Sequence, residues 1–282
     1  MKLTRRVVLL AFPLVSAGCS GDSSDSGITL PPPPPSCTTA VPANGSVVGL
    51  PDGYYSAAKS KCGDALIAAL HQIVRNQRIL GYTFARDSLY AFVDRGNMAV
   101  IVDIYAGKTA TGVVSRATAL ASGFNTEHAW PRSRGAENDP ALSDLNHLFT
   151  ADSAANSKRS NHPYGVVTGQ VMWSISTPGG ETTRVGTSSS GITVFEPRAS
   201  RRGDLARALL YFYVRYRPQP PSGFSLQNFA REREMLLAWH TADPPDDYER
   251  ARNNAVFRAQ GNRNPFIDWP AFASAIGAAN FD

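Results

Sequence analysis

Cysteine, histidine and charge are all scarce in this sequence. It has 3 cysteines and 5 histidines in 282 residues. A chain of this length buries an ample core, so disulfides are not needed merely to hold it together. No His-Glu-x-x-His run occurs, and no glycine-rich phosphate loop or internal repeat is found. Those absences exclude the zincin signature, the common nucleotide fingerprints and a solenoid. Charged residues make up 18% and the formal net charge is +5. Three of the cations, Lys2, Arg5 and Arg6, precede a segment with no acid before Cys19. What remains is nearly neutral, so any affinity for a polyanion must come from local patches. The apolar fraction of 43% suits a folded protein of one large or two ordinary domains.

The first 36 residues read as delivery apparatus. Lys2, Arg5 and Arg6 are followed by the apolar run Val7–Val15, then Ser16-Ala17-Gly18 and Cys19. This is the order of a secretory signal, and the run is too short for a spanning helix of about 20 residues. Ala-Gly-Cys resembles a bacterial lipoprotein processing site, although Ser16 stands where Leu is usual and Leu14 lies two residues upstream. Acylation of Cys19 is the expectation, with ordinary cleavage and free secretion as the alternative. Residues 19–36 then form a tether. A Gly/Ser/Asp stretch is flexible, and Pro31 to Pro35 make a stiff polyproline II spacer. Cys37 and Cys62 are expected to form one disulfide in an oxidising compartment, with two free thiols as the alternative.

From residue 37 to 282 the pattern is that of one α+β domain, mainly helices around a small antiparallel sheet. Asp64 is a fair N-cap for a helix reaching about Gln77, and Thr83–Phe92 suits a second short helix. Met98–Tyr105 is β-branched and apolar, as a buried strand would be. Phe124–Trp130 reads as a short strand ended by Pro131, and Asp144–Phe149 as a second. Ala151–Lys158 reads as a helix starting near Asp152 or Ser153. Gly165–Val194 suits a hairpin or loop region. Further helices are expected over Leu205–Tyr216, Leu226–His240 and Asp246–Gln260. On the first of these, Leu205, Ala208, Leu209, Phe212 and Tyr213 form the apolar stripe. Asn262–Pro265 is expected to make a loop folding back toward the site.

The chemistry is concentrated between Glu127 and Gly165, which holds three of the five histidines. Adjacent residues on an extended chain point to opposite faces, so Glu127 and His128 are expected to divide the labour. Glu127 supplies hard oxygen to Mg²⁺ or a similar ion, and His128 deprotonates water. Asn156 adds a neutral carbonyl oxygen, and Lys158 and Arg159 suit phosphate contact or a solvated helix end. Arg198, with Arg201 and Arg202, suits a nucleic-acid groove or a surface charge cluster. His71, His162 and His240 are read as structural.

Glu127-His128-Ala129-Trp130-Pro131, Ser143-Asp144-Leu145-Asn146-His147-Leu148 and Asn156-Ser157-Lys158-Arg159-Ser160-Asn161 resemble the endonuclease I family of bacterial periplasmic and secreted nucleases. Arg252–Phe257 and Gln260–Asp268 resemble that family's end. The likeness runs from about residue 54 to 270. It implies an embedded ββα-metal (His-Me finger) motif and largely non-specific cleavage of DNA and often RNA. It implies metal ligands at Glu127 and Asn156 and a general base at His128. The cation is expected to be Mg²⁺, with Mn²⁺ or Ca²⁺ as substitutes. Asp144 is the candidate to support the base, and His147 is structural or behind it, since relatives often place His one position earlier. Where some relatives carry a phosphate-binding Arg on a longer insert, Arg132 or Arg134 is the candidate here. With the N-terminal signal, the expectation is an exported monomer, anchored at Cys19 or secreted. A non-catalytic nucleic-acid-binding module and a hydrolase of another phosphodiester are the rival readings.

Overall fold

The computed structural model describes residues 37–281, apart from 96–98 and 227–228. The signal segment, Cys19 and the proline tether expected over residues 1–36 lie outside the described residues. The architecture is α+β, with helices packed about small antiparallel sheets. Among the described residues no helix is long and apolar enough to cross a membrane. Cys37 and Cys62 are joined by a disulfide, whose partners lie 25 positions apart.

The helix α1 (Gly63–Val74) starts one residue before the expected cap. Cys62 is its N-cap and Asp64 sits in the first turn, where a carboxylate favours the helix dipole instead. Next comes α2 (Tyr82–Ser88), which widens into a π-turn over Leu89–Val93. Of the strand expected over Met98–Tyr105, Met98 lies outside the described residues; among the described ones β1 covers Val100–Val102 and pairs with β2 (Thr109–Thr111). Asp103 ends it. Its carboxylate accepts bonds from the backbone N–H groups of Tyr105, Ala106 and Lys108, folding the chain into a turn. Such a local cap competes with the ladder.

After α3 (Arg116–Ala121), the strand β3 (Phe124–His128) pairs antiparallel with β4 (Leu148–Asp152), with Glu127 opposite Phe149. The second strand was expected over Asp144–Phe149 and starts later, because Asp144–His147 is pinned in an irregular loop. The helix α4 (Ser153–Arg159) follows β4 directly, and the Asp152 carboxylate caps it by accepting from Ala154 N and Ala155 N. The Gly165–Val194 region is a three-stranded antiparallel sheet of β5 (Val171–Ser176), β6 (Thr182–Thr187) and β7 (Thr193–Glu196).

The core forms around α5 (Arg202–Tyr216). The single apolar stripe expected there is too modest, since every residue from Gly203 to Tyr216 is buried. α6 (Phe229–Ala242), α7 (Asp247–Gln260), α8 (Pro265–Asp268) and α9 (Ala271–Ile276) complete the packing. The charges carried inward on α5 are matched: Arg207 pairs with Glu249 at 2.5 Å, and Arg215 Nε donates to Gln77 at 2.6 Å. Gly203 is the one residue that fits where the chain at Asp243 crosses α5, since a Cβ there would lie 2.0 Å from Asp243 O. The Asn262–Pro265 loop does not fold toward the site. Asn262 is buried, donating to Val74 O at 2.8 Å and Tyr211 Oη at 2.7 Å.

Asp144 is 1% exposed and collects donors from three segments. Tyr211 and Tyr216 of α5 donate at 2.8 and 2.9 Å, Gln77 at 3.0 Å and Gln260 at 2.7 Å. It is therefore a structural hub rather than the support for His128 that the sequence suggested. In Asp144→Asn one acceptor becomes an amide donor facing these donors, leaving buried groups unpaired. The expected loss of stability is about 3 kcal/mol, measured by denaturant unfolding. A loss within experimental error of zero would remove Asp144 from this role.

Candidate active site

An open groove of about 390 Å³ lies at the end of the β3–β4 ribbon, lined among others by Thr126, Glu127, His128, Arg132 and Asn156. Glu127 and His128 are adjacent, yet both open on it. The strand stops at His128 and the chain bends at Ala129 and Trp130, so the groove wraps around the strand end. Trp130 anchors that bend by stacking on Phe212 at 4.6 Å and 10°. Gly135, at φ 114°, closes the short Arg132–Arg134 helix that forms one wall; a Cβ there would lie 2.8 Å from Phe224 Cα.

Glu127 is 2% exposed. Its Oε1 lies 3.2 Å from Arg159 and accepts from the Tyr164 hydroxyl at 3.4 Å. Tyr164 is in turn held by the Tyr105 hydroxyl at 2.7 Å. Burial pushes the Glu127 carboxyl above its ordinary value, and Arg159 opposes that shift. Arg159 was expected at the phosphate. It lines the groove but is almost fully buried, and its guanidinium donates to the carbonyls of His128 and Ala129 at 3.2 and 2.6 Å. It is the counter-charge of Glu127 and a brace for the strand end.

His128 Nε2 lies 3.1 Å from Leu142 O. A carbonyl only accepts, so Nε2 carries the proton and Nδ1 keeps the lone pair in the neutral ring. The ring packs between Tyr82 and His147, each with centroids 5.5 Å away. Burial, and next the nearby His147, hold its pKa well below 6.5, so it is neutral at pH 7. His147 is fully buried, with Nε2 on Ala141 O at 2.7 Å, and forms the wall behind the base. The partner that orients His128 is thus a backbone carbonyl and not Asp144.

Asn156 faces back from α4. Its amide nitrogen donates to Asn125 Oδ1 at 2.8 Å and Thr126 O at 3.3 Å. Both donors are committed to β3, so its carbonyl oxygen is the group left to accept. Among the described residues there is no group of three or more His, Cys, Asp or Glu arranged to hold a metal. One carboxylate and one amide oxygen instead fit a hard cation that keeps most of its water, as Mg²⁺ does.

The cations predicted from sequence divide. Arg132 lines the groove, exposed and 3.0 Å from Glu137. Lys158 is exposed on the last turn of α4. Arg134 donates to Asn161 O at 2.6 Å. Arg198 is not at the groove. It is buried, donating to Ile104 O and Asp103 O at 3.2 and 3.1 Å, and clasps the β1 loop to the end of β7. Arg201 and Arg202 are likewise committed to Asp204 and Glu196 at 2.9 and 2.6 Å. His71 and His240 bond backbone carbonyls at 3.0 Å, as structural residues do.

Sequence reasoning missed Arg86. Its Nε donates to Thr126 Oγ1 at 3.2 Å, and its guanidinium lies 5.0 Å above the Tyr82 ring that flanks His128. Nothing local signals this, because α2 meets β3 only in the folded chain.

Comparison with known proteins shows the family of the chain. The family model described as Endonuclease I matches residues 62–271. An extracellular ribonuclease of Bacillus subtilis (strain 168) is 30% identical over 243 residues, 80% of this chain and 78% of the relative. An extracellular ribonuclease of Bacillus amyloliquefaciens is 30% identical over 260 residues, 85% and 84% of the two chains. A periplasmic deoxyribonuclease of Aeromonas hydrophila is 28% identical over 140 residues, 48% of this chain and 51% of the relative.

The His128 geometry makes a spectroscopic prediction. In metal-free protein, imidazole ¹⁵N shifts should report a neutral ring with the proton on Nε2 at pH 6.5, where a solvated imidazole is about half protonated. A depressed pKa keeps the neutral form above it, so protonation should begin only at lower pH. A half-protonated ring at pH 6.5 would contradict the burial argument.

Proposed function

The chain belongs to the endonuclease I family, and from that premise we propose that it is an exported, divalent-metal-dependent nuclease. It hydrolyses phosphodiester bonds of DNA and RNA with little sequence preference, and His128 is the general base. The single observation that supports this most is the convergence on one groove of a tautomer-fixed imidazole, a buried carboxylate and an amide oxygen. Relatives named as ribonucleases span most of this chain, and one named as a deoxyribonuclease spans about half, so both polymers are proposed as substrates.

In this reading the β3–β4–α4 unit is the ββα-metal motif. Glu127 and Asn156 would hold the cation, Mg²⁺ or a similar ion, which would supply charge neutralisation at the phosphate and the leaving oxygen. His128 Nδ1 takes the proton from the attacking water. The Leu142 carbonyl keeps the ring in the tautomer that makes this possible and stabilises the imidazolium that results. Arg159 holds Glu127 and the strand end in place. Arg132, Lys158 and Arg86 bind neighbouring phosphates without reading bases. The products are 5′-phosphate and 3′-hydroxyl ends. Delivery rests on the N-terminal signal, with acylation at Cys19 or free secretion as the outcomes, and the enzyme acts as a monomer.

The decisive assay incubates purified protein with supercoiled plasmid and with total RNA, in Mg²⁺ and in chelator. Mg²⁺-dependent degradation of both is expected. His128→Ala should lower turnover by about 10²–10⁴-fold, the scale of general base catalysis, while retaining metal binding by calorimetry. Glu127→Ala should lose metal affinity and turnover together. Wild-type activity in either variant would sink the assignment. Chelator-insensitive binding without cleavage would identify a binding module, and cleavage of small diesters alone another phosphodiesterase.

A further inference from the structure

A second cavity, of about 710 Å³, lies beside the groove and is not used by the chemistry above. Its volume is in the range of small-molecule sites. It is bounded by the chain after Pro163, by the turn between β6 and β7, and by α6. Val166, Ile192, Val194 and Met235 give it apolar walls, and Ser188–Ser190 a polar rim. Tyr164 ties it to the groove. Its hydroxyl touches Glu127 while the residue also lines the cavity, so the two sites stand about one tyrosine side chain apart. That is comparable to the span between a phosphate and the base of its own nucleotide.

One residue of the cavity is chemically out of place. Glu232 of α6 lines it, is 8% exposed, and among the described residues its Oε1 meets no hydrogen-bond partner; that oxygen is closed to solvent, and the residue also lines a small enclosed pocket with Arg134 and Arg159. A buried carboxylate oxygen without a donor is costly, and a bound donor is one way to satisfy it. Burial pushes its carboxyl up to about 7, while Arg134 and Arg159 favour the charged form. Arg231, on the same turn of helix, lines the cavity and is exposed.

An ionised carboxylate only accepts hydrogen bonds. Among the four RNA bases, guanine alone sets two N–H donors side by side, on N1 and N2. Adenine and cytosine place a ring acceptor beside their amino group, and uracil flanks its single N–H with two carbonyls. Unpaired bases in single strands are read by this edge and by packing of their faces. We propose that the cavity is a nucleobase subsite of the nuclease, in which the Glu232 carboxylate, whose Oε1 is closed to solvent in the free protein, turns toward the cavity and receives the paired donors of guanine between apolar walls. Arg231 then faces the next phosphate of the strand. The proposal rests on the nuclease reading, and it adds a local guanine preference to an enzyme otherwise indifferent to sequence.

The test is calorimetric titration of purified full-length protein, in chelator at pH 8, with 5′-GMP and with 5′-UMP. Wild type should bind GMP roughly tenfold more tightly, the scale of one bidentate base contact. Glu232→Gln keeps the shape but replaces one acceptor with a donor, and should bring the two affinities together at unchanged Tm. Ser189→Trp, on the exposed turn, should fill the cavity and weaken both nucleotides without unfolding the protein. Equal affinities in wild type, or an unchanged ratio in Glu232→Gln, would overturn the subsite. Parallel digestion of plasmid and RNA separates the two ideas. Cleavage without a GMP preference removes the subsite alone, whereas a GMP preference without cleavage removes the nuclease reading and leaves a guanine site.

Discussion

The carboxylate of Asp144 is the constraint on which the active geometry depends. It accepts from α5 through Tyr211 and Tyr216, from the end of α7 through Gln260, and from Gln77 beyond α1. Each donor comes from an element far away in sequence, so the bond set forms only when the helices have packed. The loop it fixes carries Ala141 and Leu142, whose carbonyls hold His147 and His128. A charge placed in the core thereby fixes the loop from which a backbone carbonyl, not the charge itself, meets His128.

The groove shows a second use of buried charge. Glu127 and Arg159 are both almost fully enclosed, 3.2 Å apart. Such a pair adds little net stability, since desolvation offsets most of the attraction. Its value is positional. Arg159 spends further donors on the backbone at His128 and Ala129, and Tyr164 and Tyr105 complete the chain behind Glu127. The carboxylate is thus held at the end of β3, on the same groove as the Asn156 side chain.

Some of this was legible in the sequence because it is local. The helix α5 announces itself by apolar spacing, α4 by the capping Asp152, and the end of β3 by Pro131. Glu127, His128 and Asn156 stood out as an acid, an imidazole and an amide at suggestive spacing, and the fold brings them to one groove. Cationic residues were far less readable. Arg132 and Arg159 look alike in sequence and both line the groove, yet one is exposed there and the other is buried against Glu127 and the strand end. Arg198 sat in a basic cluster and proved to be a clasp between loops. Arg86, on an unremarked helix, reaches Thr126 beside the site. An arginine's role depends on which carboxylates and carbonyls surround it, and those come from elsewhere in the chain.

What the sequence by itself determined is the set of short-range signals: the export-like leader, the order of helices and strands, and the family to which the motifs belong. These follow from propensity, periodicity and capping, which act over a few residues. Tertiary structure alone decided the tautomer of His128, the orientation of the Asn156 amide, the burial of Arg159 and Arg198, and the role of Asp144 as hub rather than helper. Each of those depends on a partner brought from a separate segment of the fold, such as the Leu142 carbonyl or the Tyr211 hydroxyl. Hydrogen bonds and charges act through contact and dielectric, and both are properties of the packed chain rather than of its order.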